Sequence, residues 1–342
     1  MTQNPLRLVI PSKGRLQQPV IDFLAACGFV LERASSNRAY TMTVAGTDDV
    51  IVDLAAASEV PGMLAEGRAH LGITGIDLVN EMLGGPGPAL DGASLPGGPM
   101  LVVKLGFGRA NLEVAVPRAW IDVETMRDVC EVAHQHHVQN KSRIRVATKY
   151  VRLTRKFLSE AQLTDYRIVE SAGATEAAPA SGLAEIVVDI SSTGATMAAN
   201  HLKTLSDGRI LSSEAALFAA PPATVTWSAK AMGALERLIR MARARLAAQR
   251  HKLVRASGRV QDANALTREL ETLGVTDVVQ TVETATGTTR LDCTASARQV
   301  FKLVQTLQSY GLTRCAVENA ELLFLPGDQD IGAALTKLTS AH

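Results

Sequence analysis

Aromatic side chains are scarce in this 342-residue chain, at 4% of positions, so its cores must be filled mainly by Ala, Val, Leu and Ile. Cysteine is scarce too. Cys27, Cys130, Cys293 and Cys315 stand far apart with no CxxC pair, which excludes a disulfide framework or zinc cluster and agrees with a reducing compartment. There is almost no excess of charge: 35 Lys+Arg against 34 Asp+Glu leave +1, so no bulk field recruits nucleic acid or membrane. No run approaches the roughly 18 apolar residues that a membrane span needs. The opening MTQNPLRLVIPSKGR has no apolar stretch of signal-peptide length, and a cytoplasmic protein is expected. What is present is 46% hydrophobic and 20% charged residues, too apolar for disorder, in a length that suggests two or three domains.

Residues 6–10 (LRLVI) read as a buried strand, followed by a helix with Pro19, Val20, Phe23, Leu24 and Cys27 on one face. Strands at 40–45, 50–54 and 69–74 surround a helix at 58–67. Residues 84–100 hold six Gly and four Pro and read as a loop. Strands at 101–107 and 112–116, a helix near 122–138 and an α/β unit over 143–197 come next. Strands alternating with helices call for an α/β fold with a largely parallel sheet. Residues 228–250 read as a connecting helix. From 251 the order becomes βαββαβ, the ferredoxin-like plan.

Three loops at strand ends carry candidate chemistry, the place where α/β sheets bind ligands. In Val187-Val188-Asp189-Ile190-Ser191-Ser192-Thr193-Gly194-Ala195-Thr196, a hydrophobic strand delivers an aspartate, and a small, hydroxylated turn then opens a helix. Backbone N–H groups at such a turn suit a phosphate monoester, with Ser192, Thr193 and Thr196 as further donors. Asp189 suits sugar hydroxyls. An ordinary helix cap is the competing reading. In Pro11-Ser12-Lys13-Gly14-Arg15, two cations suit a polyphosphate or a solvated surface, and the Walker A spacing is absent. In Gly72-Ile73-Thr74-Gly75-Ile76-Asp77, Asp77 is either a contact for an amine or hydroxyl or the N-cap of a turn. His134, His136 and His137 do not converge on a metal at helical spacing. The basic residues of 230–255 suit a solvated or inter-subunit helix face better than nucleic acid, because interleaved aromatics are missing.

The segment VVDISSTGATMAANHL closely resembles the phosphoribosyl-pyrophosphate-binding signature of the ATP phosphoribosyltransferase family. The resemblance extends through RVATKYVRLTRKFL, GATEAAP, GLAEIVVD and LGITGIDLVNE to PSKGRL, in family order over roughly residues 6–220. It implies a two-lobed catalytic part of type II periplasmic-binding-protein kind, with residues 1–104 and 191–227 in lobe I and 105–190 in lobe II. A connecting helix (228–250) and a ferredoxin-like regulatory domain (251–342) complete the long form. The implied reaction joins N1 of ATP to C1 of the phosphoribosyl group and releases pyrophosphate, with Mg²⁺. Phosphoribosyl pyrophosphate falls to Asp189, Ser192, Thr193, Gly194, Ala195 and Thr196, with Glu176 as a further ribose or metal contact. Lys13 and Arg15 face pyrophosphate or triphosphate, and Gly75 and Asp77 shape the nucleotide pocket. Histidine as feedback inhibitor and a homo-oligomer (dimer or hexamer) are also implied.

The chain departs from the family pattern at three places. Ala56 stands where an arginine is usual, with Arg38 as a possible substitute. Residues 276–283 (TDVVQTVE) replace a Pro-Thr-Val-Ser-Pro-Leu-like segment, and the loop at 84–100 is long. The Ala56 departure prompts the alternative of a non-catalytic ligand-binding or regulatory protein on the same fold.

Overall fold

The computed structural model describes residues 4–33, 40–83, 98–171, 173–325 and 335–336; Arg38 and most of the 84–100 loop lie outside them. By packing, the chain divides into one unit formed by the residues up to Asp22 with Val30–Ala234 and those from Ala334, and another formed by Phe23–Phe29 with Leu235–Ala333.

The first unit begins with β1 (Leu6–Pro11), α1 (Gln17–Ala26), β2 (Leu31–Arg33), β3 (Thr41–Val44) and β4 (Val50–Ala55). It continues through α2 (Val60–Ala65), β5 (Leu71–Gly75), α3 (Ile76–Leu83) and β6 (Met100–Lys104). The next group is β7 (Ala110–Pro117), α4 (Met126–Asn140), β8 (Ile144–Thr148), α5 (Val151–Glu160) and β9 (Tyr166–Glu170). After it come β10 (Ile186–Ser191), α6 (Ala195–Ala199), β11 (Leu202–Ser213) and β12 (Ala215–Ala219).

These strands make two sheets, ordered β2-β3-β4-β1-β5-β12-β6 and β11-β7-β10-β8-β9. In the first, β1 is parallel to β4 and β5, whereas β12 runs antiparallel to β5 and β6. In the second, β8 is parallel to β9 and β10, whereas β7 runs antiparallel to β10 and β11. Leu8, Val9 and Ile10 of β1 and Val187 and Val188 of β10 are fully buried. Such continuous apolar runs belong to strands covered on both faces. The long helix α4 starts at a reciprocal cap: Asp128 N–H donates to Thr125 Oγ1 while Thr125 N–H donates to Asp128 Oδ2.

The chain leaves the first sheet after Lys104 and returns to it between Ser213 and Ala215. The family resemblance implies that all of 191–227 lies in lobe I. The structure corrects this: α6 and β11 stay with the five-stranded sheet, and β12 is the strand that returns. β11 is hard to read from sequence because its pairing with β7 shifts register around Arg209, which breaks the alternation of buried and exposed residues. β12 (AALFA) is a short, fully buried, alanine-rich strand with little β-propensity of its own. Two α/β lobes joined by crossing segments make the first unit a type II periplasmic-binding-protein-like fold.

α7 (Ala229–Arg250) leads to β13 (His251–Gly258), α8 (Ala263–Thr272), β14 (Thr276–Glu283), β15 (Thr288–Ser296), α9 (Val300–Ser309) and β16 (Arg314–Glu318). Their sheet is ordered β14-β15-β13-β16 and is antiparallel throughout. Val254, Leu266, Leu270, Leu291, Leu303 and Leu307 fill its core. This is the ferredoxin-like plan that the element order predicts. The unusual segment TDVVQTVE is β14, an edge strand exposed along its whole length. Several cations of α7 are engaged within the protein: Lys230 with Asp48 at 2.8 Å, Arg240 with Glu236 at 2.9 Å, and Arg237 over the ring of Phe29.

Candidate active site

The parallel pairing of β8 and β10 sets Val188 opposite Thr148, so the residues that follow, Asp189 and Lys149, emerge side by side. Asp189 is 8% exposed. Its Oδ1 accepts from the N–H of Ile190 at 2.8 Å and lies 3.2 Å from Lys149 Nζ. Beyond it, Ser191 Oγ accepts from Gly194 N–H at 2.8 Å, which ties the turn shut. Gly194 has φ +75°, a left-handed conformation that a side chain would strain, and caps α6. Ser192, Thr193, Ala195 and Thr196 are exposed around it. The leading N–H groups of α6 have no intrahelical acceptor. The result is an exposed turn of hydroxyls and amides, in which the Gly194 and Ala195 N–H groups are held by the hydroxyls of Ser191 and Thr193, beside a buried carboxylate with a lysine partner. Glu176 sits half-buried in the short turn Thr175–Ala177, packed beside β10.

Lys13 and Arg15 are exposed at the end of β1, and Arg15 Nη1 donates to the carbonyl of Gly108, in the segment that crosses between lobes. Ala56, at the end of β4, donates its N–H to Glu59 Oε2 at 3.1 Å.

Asp77 is neither an N-cap nor free to meet a ligand. It lies in the first turn of α3, 2% exposed, with Oδ2 accepting from Tyr150 OH at 2.7 Å and Oδ1 accepting from Ser213 Oγ at 2.5 Å. Ser213 Oγ in turn accepts from Asp77 N–H. Gly75 makes room for this: a Cβ there would stand 2.2 Å from Asp77 Oδ1. Tyr150 is the point where the candidates meet. Burial pushes its phenol far up, the charges of Asp77 and Asp189 push the same way, and Arg15 opposes them. The phenol therefore stays protonated and acts as a donor at neutral pH. Among the described residues, Lys13, Glu176 and the 192–196 turn make no hydrogen bond or ion pair with Tyr150, Asp77 or Ser213, whereas Arg15, Asp77 and Asp189 all act on the phenol.

Lys149, Tyr150, Ser213 and Glu81 carry no assignment from the sequence. Lys149 and Tyr150 were within reach of the same argument as Asp189, since both directly follow a buried strand. The histidines of α4 have separate partners: His134 faces Asp165 at 3.6 Å, and His136 faces Ser142 and Asn140. Among the described residues, no three His, Cys, Asp or Glu side chains gather to hold a metal, and no helix is long and apolar enough to cross a membrane.

A two-lobed α/β fold with an exposed turn of amides and hydroxyls, a buried carboxylate and cations gathered near its strand ends has the chemistry that suits a phosphorylated, hydroxylated ligand. The ATP phosphoribosyltransferase family model matches residues 56–244. An ATP phosphoribosyltransferase of Rhodopseudomonas palustris (strain BisB18) is 41% identical over 318 residues, covering 93% of this chain and 94% of the relative. That of Bradyrhizobium diazoefficiens is 41% identical over 94% of both chains, and that of Caulobacter vibrioides is 47% identical over 71% of this chain and 72% of its own. A solved ATP phosphoribosyl transferase (HisG:HisZ) complex from Thermotoga maritima shares the fold, with a TM-score of 0.52 and 24% identity over 70% of this chain and 98% of that one. The chain belongs to the ATP phosphoribosyltransferase family, and it is a pentosyl transferase of the first step of histidine biosynthesis.

Proposed function

We propose that the strand ends of the two lobes bind phosphoribosyl pyrophosphate and ATP and transfer the 5-phosphoribosyl group to N1 of the adenine, releasing pyrophosphate. The carrying observation is the Lys149–Asp189 pair beside the open 192–196 turn. The 5-phosphate lies on the backbone of Thr193, Gly194, Ala195 and Thr196, with Ser192 donating. Asp189 accepts from ribose hydroxyls, with Lys149 paired to its carboxylate. Lys13 and Arg15 face the pyrophosphate. Gly75 and Asp77 shape the nucleotide pocket from behind, through Tyr150, rather than by direct contact of the buried carboxylate.

The C1–O bond to pyrophosphate breaks and the leaving oxygen keeps the electron pair, while the N1 lone pair forms the new C1–N bond. N1 needs no activation by a base, so the protein's part is alignment and charge neutralisation. Mg²⁺ fits this donor set. It prefers one or two carboxylates plus phosphate oxygens and waters to an all-protein cage, and Glu176 and Asp189 would supply the carboxylates. When bound, it neutralises pyrophosphate charge. A homo-oligomer, with histidine as inhibitor acting on the ferredoxin-like domain, belongs to the same reading.

Purified protein given ATP, phosphoribosyl pyrophosphate, Mg²⁺ and a pyrophosphatase is expected to form phosphoribosyl-ATP, less of it when histidine is added. Tight binding of a small ligand without turnover would favour the non-catalytic reading instead.

A further inference from the structure

Helix α5 of the second lobe lacks a cap of its own, because the side chain of Tyr150 at its N-cap makes no capping hydrogen bond. The cap comes from the other lobe. Glu81 of α3 accepts from Arg152 N–H through Oε1 at 2.9 Å and from Leu153 N–H through Oε2 at 3.0 Å. Arg152 Nη1 returns a bond to the carbonyl of Met82 at 2.8 Å. One turn earlier on α3, Asp77 holds the Tyr150 hydroxyl. Asp77 and Glu81 are four residues apart and share a helix face, so α3 grips the start of α5 at two heights. The same Asp77 takes the hydroxyl of Ser213, the last residue before the chain crosses back. The gripped helix begins one residue after Tyr150, and the residue before Tyr150 is Lys149, the partner of Asp189.

We infer that Asp77, Glu81, Tyr150 and Ser213 form a clasp between the lobes that positions the Lys149–Asp189 pair against Lys13 and Arg15, which follow β1. The inference rests on the proposed function of that site and adds to it how the site is held in register. None of the four needs to touch substrate; they are positioning residues. A carboxylate accepting two amides and a buried carboxylate accepting two hydroxyls are charge-assisted bonds, the stronger kind. Their placement at α3, α5 and the crossing strand makes them sensitive to lobe separation rather than to the fold of either lobe.

The test uses the full-length protein and the variants Tyr150→Phe and Glu81→Gln, each checked by circular dichroism and melting temperature. Distance distributions between spin labels placed on the exposed surface of each lobe are recorded with and without phosphoribosyl pyrophosphate. Both variants are expected to broaden the distribution and to lower kcat by roughly tenfold or more, as loss of alignment does, with a smaller change in KM. The two effects should be non-additive in the double variant, because both report on one closure. Unchanged distances and kcat in folded variants would overturn the clasp. Wild-type protein that closes normally but makes no phosphoribosyl-ATP would count against the proposed function and leave the clasp standing.

Discussion

Lys149 Nζ lies 3.2 Å from Asp189 Oδ1, and the pair is created by strand register, since parallel β8 and β10 bring Thr148 and Val188 opposite one another. The aspartate side chain is 11% exposed and the lysine 51%, so the pair reaches from the middle of the sheet toward solvent with its negative end inside. That orientation suits a ligand whose hydroxyls meet the carboxylate and whose phosphates meet the cation.

Asp189→Ala is accordingly expected to lower kcat/KM for phosphoribosyl pyrophosphate by roughly 10- to 150-fold, the loss of about 1.5–3 kcal/mol from a hydrogen bond to a charged group. Lys149→Ala should act in the same direction by leaving Asp189 without its cation. Steady-state kinetics on both single variants and the double variant checks this, and independent, fully additive effects would separate the two residues functionally.

The shape of the phosphate turn depends on one dihedral angle. Gly194 has φ +75° and open space where a Cβ would stand, so Gly194→Ala costs conformation rather than a clash. The left-handed region costs a side chain about 1–2 kcal/mol. The expected outcome is a raised KM for phosphoribosyl pyrophosphate with only a small fall in melting temperature. Asn tolerates this conformation better, so Gly194→Asn should be the milder variant.

Arg15 reaches from β1 to the crossing segment at Gly108 and its charge is felt at Tyr150. Arg15→Ala should raise KM for the pyrophosphate-bearing substrate, and Arg15→Lys should restore little, because lysine lacks the planar fork of donors. Salt-dependent binding measured by calorimetry would show the loss as a shallower slope.

Much of this was legible in the sequence because it is local. The alternation of strands and helices and the βαββαβ order are read one element at a time, each from about ten consecutive residues, and the turn after Asp189 lies within one such stretch. β11 escaped because its alternation is broken by the register shift at Arg209, and β12 because five buried residues, three of them alanine, carry no period. The clasp escaped for a different reason. Asp77 and Tyr150 are 73 positions apart and Asp77 and Ser213 are 136 apart. No spacing rule links residues that meet only after two lobes have formed. Asp77 reads as a ligand contact or an N-cap because it follows a strand-end glycine, but the missing side chain of that glycine leaves room for the carboxylate to fold back over it.

Away from the site, His70 at the start of β5 joins separate parts of the first unit and makes stability depend on pH. Arg7 N–H donates to His70 Nδ1 at 3.0 Å, and His70 Nε2 lies 3.2 Å from the carbonyl of Thr226, with the ring against Trp227. This arrangement needs the neutral ring, with Nδ1 accepting and Nε2–H donating. Burial lowers the pKa below the usual histidine value of 6.5, the charge of Arg7 acts the same way, and the Thr226 carbonyl opposes them. The folded state thus binds its proton later than the unfolded chain. Stability is full above the unfolded value of about 6.5 and declines as pH falls from there through the lower folded pKa, with a slope of at most about 1.4 kcal/mol per pH unit for one proton. Melting temperature measured from pH 8 down to pH 5 should fall in that window for the wild type. His70→Gln, which cannot titrate, should lower stability at pH 8 and flatten the slope between pH 6.5 and 5; an unchanged slope would remove His70 as its source.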